Sequence, residues 1–404
     1  MEILIQLISK KHRHNTSKFT LLIIILLIVS NMQAQWQNVG NPGFSSGMAN
    51  STSLAIDNTE TPYVAFSDDA ADNKMTVMKF NGANWEIMGS PGFSAGFVDN
   101  VSLAIDGNEA PIVIYVDFAH SSKASVMKFN GISWDYLGSA GLSTGSVWGT
   151  SIVINNNNTP YILFSEGGGF SKPSVMKFDG TNWEYVGNPQ FTIGYVLSTS
   201  IALDPNGIPY VAFYDGANSG KATVMKYSGT SWEFVGNPGF SGGSAEFTSI
   251  TIDNSGTPYV GFKDGSNSGK ATVMKFNGSS WEYVGNQGFS AGDPTYLSIA
   301  LNTSGTPYVT YRDDGNTLGA TVMKFNGINW EYIGSPDFSV NMVEWPSLAI
   351  GTSGTPYVAY QDGGNSGKAT VMKFDSPTPS VPINTWAIII AILLIVAVLW
   401  RKVY

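Results

Sequence analysis

The chain has 404 residues, of which 43% are hydrophobic and only 13% charged, with 45 glycines and no cysteine. That balance fits an all-β protein rich in turns, and it excludes disulfide frameworks, thiol nucleophiles and thiolate metal sites. With 30 acidic against 21 basic residues, the net charge is −9, which argues against nucleic acid as a partner, since that binding is driven by neutralising phosphates.

Residues 1–34 read as a secretory signal. Lys10, Lys11, Arg13 and Lys18 form a basic region, Phe19–Ser30 an apolar core, and Met32-Gln33-Ala34 a small-residue cleavage site. An uncleaved N-terminal anchor is the alternative. Without these residues the chain holds 17 basic and 29 acidic side chains, a net charge of −12.

From Trp36 onward the sequence repeats. Trp36, Trp85, Trp134, Trp183, Trp232, Trp281 and Trp330 are 49 residues apart, and a VMKF/Y phrase closes each unit, at Phe80, Phe129, Phe178, Tyr227, Phe276, Phe325 and Phe374. A fixed period of this size marks a propeller or a solenoid. Each unit carries four β-like runs. In the fifth they are 249–253, 258–264, 271–276 and 281–285, separated by Gly/Asn/Ser turns. Four strands per unit predict a seven-bladed β-propeller over 35–375, all-β, with four antiparallel strands per blade. A parallel β-helix is the alternative.

The repeat begins on a fourth-strand phrase, WQNVG at 36–40, and ends on a third-strand phrase, ATVMKF at 369–374. Pairing the two closes the ring and covers edges that would otherwise invite aggregation. The FNGSSW turn sets Phe276 opposite Trp281, Lys275 opposite Glu282 and Met274 opposite Tyr283. The same register predicts Lys79–Glu86, Lys128–Asp135, Lys177–Glu184, Lys226–Glu233 and Lys324–Glu331 pairs, each worth about 0.2–1 kcal/mol. In the closing blade Lys373 faces Gln37. The Trp and Met ladders read as packing between blades.

Few residues in the repeat suggest chemistry. His120 is the one histidine after residue 34 and has no evident acid partner. An acid ends each second strand: Asp68, Asp117, Glu166, Asp215, Asp264, Asp313 and Asp362. It reads as a turn cap with an ion pair to the lysine six positions on. Calcium is the alternative, but the loops lack the alternating carboxylates of an EF-hand. No phosphate loop, nucleophile elbow or metalloprotease helix occurs, and the expectation is a non-enzyme without cofactor or metal. A glycosidase or lyase would need a carboxylate pair about 5–10 Å apart.

The units differ most between GxPGFSxG and the next first strand, at 48–52, 97–101, 146–150, 195–199, 244–248, 293–297 and 342–346. In a propeller these stretches share a face with the second-to-third turns and ring the mouth of the central channel, or the clefts between blades, where ligands bind rigid scaffolds. The candidate ligand residues there are Phe97, Asp99, Trp148, Tyr195, Glu246, Phe247, Asp293, Tyr296, Glu344 and Trp345. Aromatic faces with carboxylate acceptors suit sugar rings, and equally a protein with basic groups. The aromatics could instead fill the channel as core.

After the repeat, 376–384 is a Pro-rich linker, and 385–404 is an apolar segment bounded by Trp386 and Trp400 and followed by Arg401 and Lys402. VPINTWA, from Val381, with this helix and the basic end resembles the IPTL/PEP-CTERM-like sorting signals of exported bacterial surface proteins. Val381-Pro382-Ile383-Asn384 stands where Ile-Pro-Thr-Leu is usual. The resemblance implies a sorting enzyme as partner and a place at the cell envelope, anchored or released after processing. A plain membrane anchor is the alternative.

The units themselves, as in GTPYVAYQDGGNSGKATVMKF (354–374), resemble tandem propeller repeats of exported bacterial surface proteins. The second strand, Gly/Asn turn, third strand and D/N-G-x-x-W also resemble the blades of seven-bladed lectin propellers, in which sugars sit between blades. This chain has VMKF where those lectins carry an aromatic-rich third strand, so none of their sugar-binding residues transfers. The expectation is an exported recognition module for an extracellular glycan or protein, or a structural surface scaffold.

Overall fold

A computed structural model describes residues 35–168, 171–339 and 341–375. The expected signal peptide (1–34), linker (376–384) and membrane or sorting segment (385–404) lie outside the described residues. Among the described residues no helix is long and apolar enough to cross a membrane.

Trp36–Phe374 is one unit of seven four-stranded antiparallel sheets. Blades are numbered from Ala49, so that blade 1 runs Ala49–Ile56, Pro62–Asp68, Lys74–Phe80 and Trp85–Ile87 from the inside outward. Blade 7 is built from both ends of the repeat: Gln35–Asn38 lies outside Lys368–Asp375, which pairs with Pro356–Asp362 and then Val343–Ile350. The closure read from the order of phrases is therefore the closure observed.

The second strands read as unbroken apolar runs because both their faces are covered; Pro62–Asp68 and Pro111–Asp117 are buried at every position. The core is a ring of seven clusters, each shared by two neighbouring blades. Each tryptophan stitches one interface. Its Nε1 donates to a backbone carbonyl of the preceding blade, as in Trp85 to Val39 (2.7 Å), Trp281 to Val235 (2.7 Å) and Trp36 to Ile333 (2.8 Å). A phenylalanine stacks on six of the seven, as Phe240 on Trp281 at 4.1 Å between centroids, and Leu142 takes that place beside Trp183. The serine that follows accepts from the third strand and donates to the loop: Ser290 Oγ accepts from Ala271 N and donates to Gly292 O. Blade 3 has Pro173 at the donor position, and there the serine is Thr192.

Inner strands are stitched by the serine before Leu/Ile. Ser53, Ser102, Ser200, Ser249 and Ser347 each accept from a backbone N–H of the neighbouring blade at 3.0–3.3 Å. This explains why the scaffold fixes Ser-Leu/Ile.

The predicted hairpin register holds: Phe276 faces Trp281, Lys275 faces Glu282 and Met274 faces Tyr283. Ion pairs form for Lys177–Glu184, Lys275–Glu282 and Lys324–Glu331 at 3.2–3.5 Å. Two lysines turn elsewhere. Lys128 bonds Asp106 at 2.7 Å, and Lys79 sits over the Tyr63 ring.

The six aspartates ending second strands are caps, while Glu166 instead accepts from Thr144 Oγ1 and Gly145 N. Asp264 accepts from Ser266 N, and its other oxygen from Thr272 Oγ1. The threonine or serine eight positions on takes the place expected for the lysine, as Thr76, Ser125, Thr223 and Thr370 show. Among the described residues no group of three or more His, Cys, Asp or Glu side chains is placed to hold a metal ion. His120, read as lacking an acid partner, has one: its Nδ1 lies 2.8 Å from Asp117 Oδ2. The capping acid of its own turn bonds it, which the sequence spacing of three conceals.

Candidate functional site on the upper rim

The N-terminal end of each first strand pairs with the C-terminal end of the second, as Ala245 with Asp264. The variable stretches and the second-to-third turns therefore share one face, here called upper. Each innermost strand carries a register break there, between positions such as Glu246 and Ser249. One residue in each break is left-handed: Ser51, Asn100, Gly149, Ser198, Phe247, Tyr296 and Trp345, with φ from 48° to 69°. A bulky side chain rarely adopts this conformation, which costs about 1–3 kcal/mol and persists only where its surroundings impose it.

The ring of bulges divides in two. Blades 1–4 place Ser, Asn, Gly and Ser at the left-handed position, and blades 5–7 place Phe247, Tyr296 and Trp345. These three form a continuous arc. Phe247 meets Tyr296 at 5.7 Å between centroids, and Tyr296 meets Trp345 at 5.9 Å. All three are half-buried, and Phe247 packs against the core cluster shared by blades 5 and 6.

Two cations hold the arc's polar border. Lys263 lies 2.9 Å from Asp293 and 3.6 Å from Glu246. Arg312 lies 2.8 Å from Asp314 and 2.5 Å from Glu344, and its guanidinium covers the Tyr296 ring at 5.3 Å. Partial burial opposes both charges, yet the flanking carboxylates raise both groups above their ordinary values. Four carboxylates thus surround two cations, leaving hydrogen-bond acceptors in excess. Asp293 Oδ1 accepts from no protein group.

Tyr296 is pushed up to about 12, first by burial and then by its hydrogen bond to Glu344. It is a donor at neutral pH and a poor base. The folded value lies above the ordinary 10, so the stability tied to this proton is full below pH 10 and is lost as pH rises through about 12. Tyrosinate absorbance should show one fewer late-ionising group in Tyr296→Phe; an unchanged curve would refute the assignment.

The structure thus brings together Glu246, Phe247, Asp293, Tyr296, Glu344 and Trp345. Phe97, Asp99 and Trp148 stand apart from them, and Tyr195 reaches the group only through Tyr214, which lies near Glu246. Phe97 packs on Phe118 at 4.5 Å. Asp99 accepts from Ser51 Oγ and Asn100 N. Trp148 is 62% exposed. Tyr195 lies beside Tyr214. Sequence reasoning missed Lys263, Arg312 and Asp314. The signal for the two cations was the residue before the acid ending each second strand, which reads Ser67, Val116, Ser165, Tyr214, Lys263, Arg312 and Gln361: two consecutive cations in otherwise uncharged company.

No family model matches the chain, and no curated protein matches it. Solved propellers do. An ulvan lyase bound to -[GlcA(1-4)Rha3S]- is 12% identical, with a TM-score of 0.51 over 83% of this chain and 94% of its own. The polysaccharide lyase Uly1 is 9% identical, with a TM-score of 0.51 over 82% and 90%. An Aleuria aurantia lectin in complex with Fucalpha1-6GlcNAc is 14% identical, with a TM-score of 0.49 over 73% and 99%. Such distant likeness shows the β-propeller fold alone. It also corrects the expectation of a non-enzyme. That expectation rested on finding no catalytic motif in the sequence, yet lyases share this architecture, and the fold leaves enzymatic activity open.

Proposed function

We propose that this propeller is an extracellular recognition module that binds a neutral or amino-bearing saccharide on its upper rim. The observation that carries the proposal is the arc of Phe247, Tyr296 and Trp345, held left-handed in three consecutive blades and bordered by excess acceptors. Aromatic faces stack on the C–H faces of sugars, and carboxylates accept from sugar hydroxyls or an ammonium. Acidic sugars meet like charge there.

A glycan array probed with the full chain tests this, read alongside the release of new ends from every glycan bound. Binding to neutral or amino glycans, weakened roughly tenfold by Arg312→Ala, is expected because that cation orients Glu344 and covers Tyr296. An array on which only acidic glycans respond, or none, would overturn the reading. Release of new ends would make the site catalytic as well.

A further inference from the structure

Clefts open on the opposite face, where the first-to-second and third-to-fourth turns of one blade meet the outer strands of the blade before it. The one between blades 5 and 6 has a volume of about 610 Å³, within the range of small-ligand sites. Its walls include Lys275 and Lys324, Tyr259 and Tyr308, Asn302 and Asn326, and no Asp or Glu lines it. In a chain with 30 acidic and 21 basic residues, a cleft with two ammonium groups and no carboxylate is a local reversal of charge.

The repeat shows how the reversal arises. Lys128 of blade 2 stands where Lys324 stands in blade 6, and it is neutralised by the buried Asp106 at 2.7 Å. The position of Asp106 is Asn302 in blade 6. Lys324 therefore has no carboxylate inside the cleft. It reaches outward to Glu331 at 3.2 Å, as Lys275 reaches Glu282 at 3.3 Å. Those glutamates are exposed, and such surface pairs hold by only about 0–1 kcal/mol. The matching cleft between blades 3 and 4 is smaller, about 360 Å³, and has Glu184 in its wall beside Lys177. A carboxylate thus belongs to the wall of that cleft, whereas the glutamates paired with Lys275 and Lys324 lie outside the wall of the blade 5/6 cleft.

We infer that the cleft between blades 5 and 6 is a second ligand site that takes an acidic saccharide unit, with a carboxylate or sulfate engaging Lys275 and Lys324. The sugar's hydroxyls meet Asn302, Asn326 and the Ser304–Thr306 turn. The site shares no residue with the upper rim, where acceptors are in excess, so the two faces select ligands of different charge.

Calorimetry with the full chain tests the assignment, using glucuronate, a sulfated glucose, inorganic sulfate and glucose as probes. Glucuronate, the sulfated sugar or both should bind more tightly than glucose and less tightly as salt rises. Asn302→Asp should weaken that binding roughly tenfold by restoring the ion pair seen in blade 2. Its melting temperature should hold, since blade 2 already accommodates that pair, and upper-rim binding should be untouched. Lys324→Gln should weaken acidic probes and leave glucose unchanged. No preference over glucose, inorganic sulfate binding as tightly as the acidic sugars, or indifference to Asn302→Asp would each overturn the inference.

Discussion

Replacing Trp36 with alanine is expected to destabilise the propeller by about 3–5 kcal/mol, the range for deleting a well-packed large aromatic. Trp36 stacks on Phe338 at 4.1 Å, packs against Phe374 and donates to Ile333 O, so it holds blade 7 to blade 6. Trp281 makes the same contacts between blades 5 and 4. The difference lies in connectivity. Trp281 sits within continuous chain, whereas Trp36 anchors a four-residue strand whose partners lie more than 300 positions away. Losing it frees the outer edge of Lys368–Asp375, an unpaired strand available to other molecules. Urea denaturation should therefore show Trp36→Ala and Trp281→Ala both destabilised, with Trp36→Ala alone forming oligomers on size-exclusion columns. A Trp36→Ala variant within about 1 kcal/mol of the parent would mean that the ring is not locked at its ends.

The architecture was legible because the repeat restates most of its contacts from unit to unit. Trp and the GF phenylalanine recur at fixed spacing, and the FNGSSW turn alone fixes the Phe276–Trp281 register. Charge partners were less legible. Lys128 prefers Asp106, at the end of the blade's own first strand, over the directly opposed Asp135, because Asp106 is buried and Asp135 is not. Lys263 and Arg312 were hidden in strands whose pattern is otherwise core. The left-handed conformation of Phe247, Tyr296 and Trp345 could not be read from those residues at all, since aromatic side chains favour extended backbone. It is set by the register break common to every inner strand, which Gly149 fits without cost and the aromatics do not. The variable stretches do share one face of the ring with the second-to-third turns, as their order in the repeat implied. The grouping into one arc came from which blades stand next to each other on the inner circumference.

That conformation allows binding and stability to be separated. At most positions, removing two half-buried aromatics would weaken both together. Here Tyr296→Gly with Trp345→Gly also relieves two strained left-handed residues, each by roughly 1–2 kcal/mol, which offsets the packing lost. Stability should stay within about 2 kcal/mol of the parent. Saccharide affinity should not. Central aromatic anchors contribute about 2 kcal/mol or more each, so losing two should weaken binding roughly a thousandfold. Trp148→Ala is the control. Trp148 is the more exposed tryptophan and the more obvious candidate on accessibility, but it stands outside the arc, in blade 3 where the bulge carries Gly149. It should change affinity by no more than about twofold if contiguity of the arc, and not exposure of single rings, makes the site. Glycan titrations of the three proteins decide the matter. A double-glycine variant that still binds, or a Trp148→Ala variant that does not, would move the site across the channel to blades 2–4 and leave Arg312 and Lys263 as structural ion pairs.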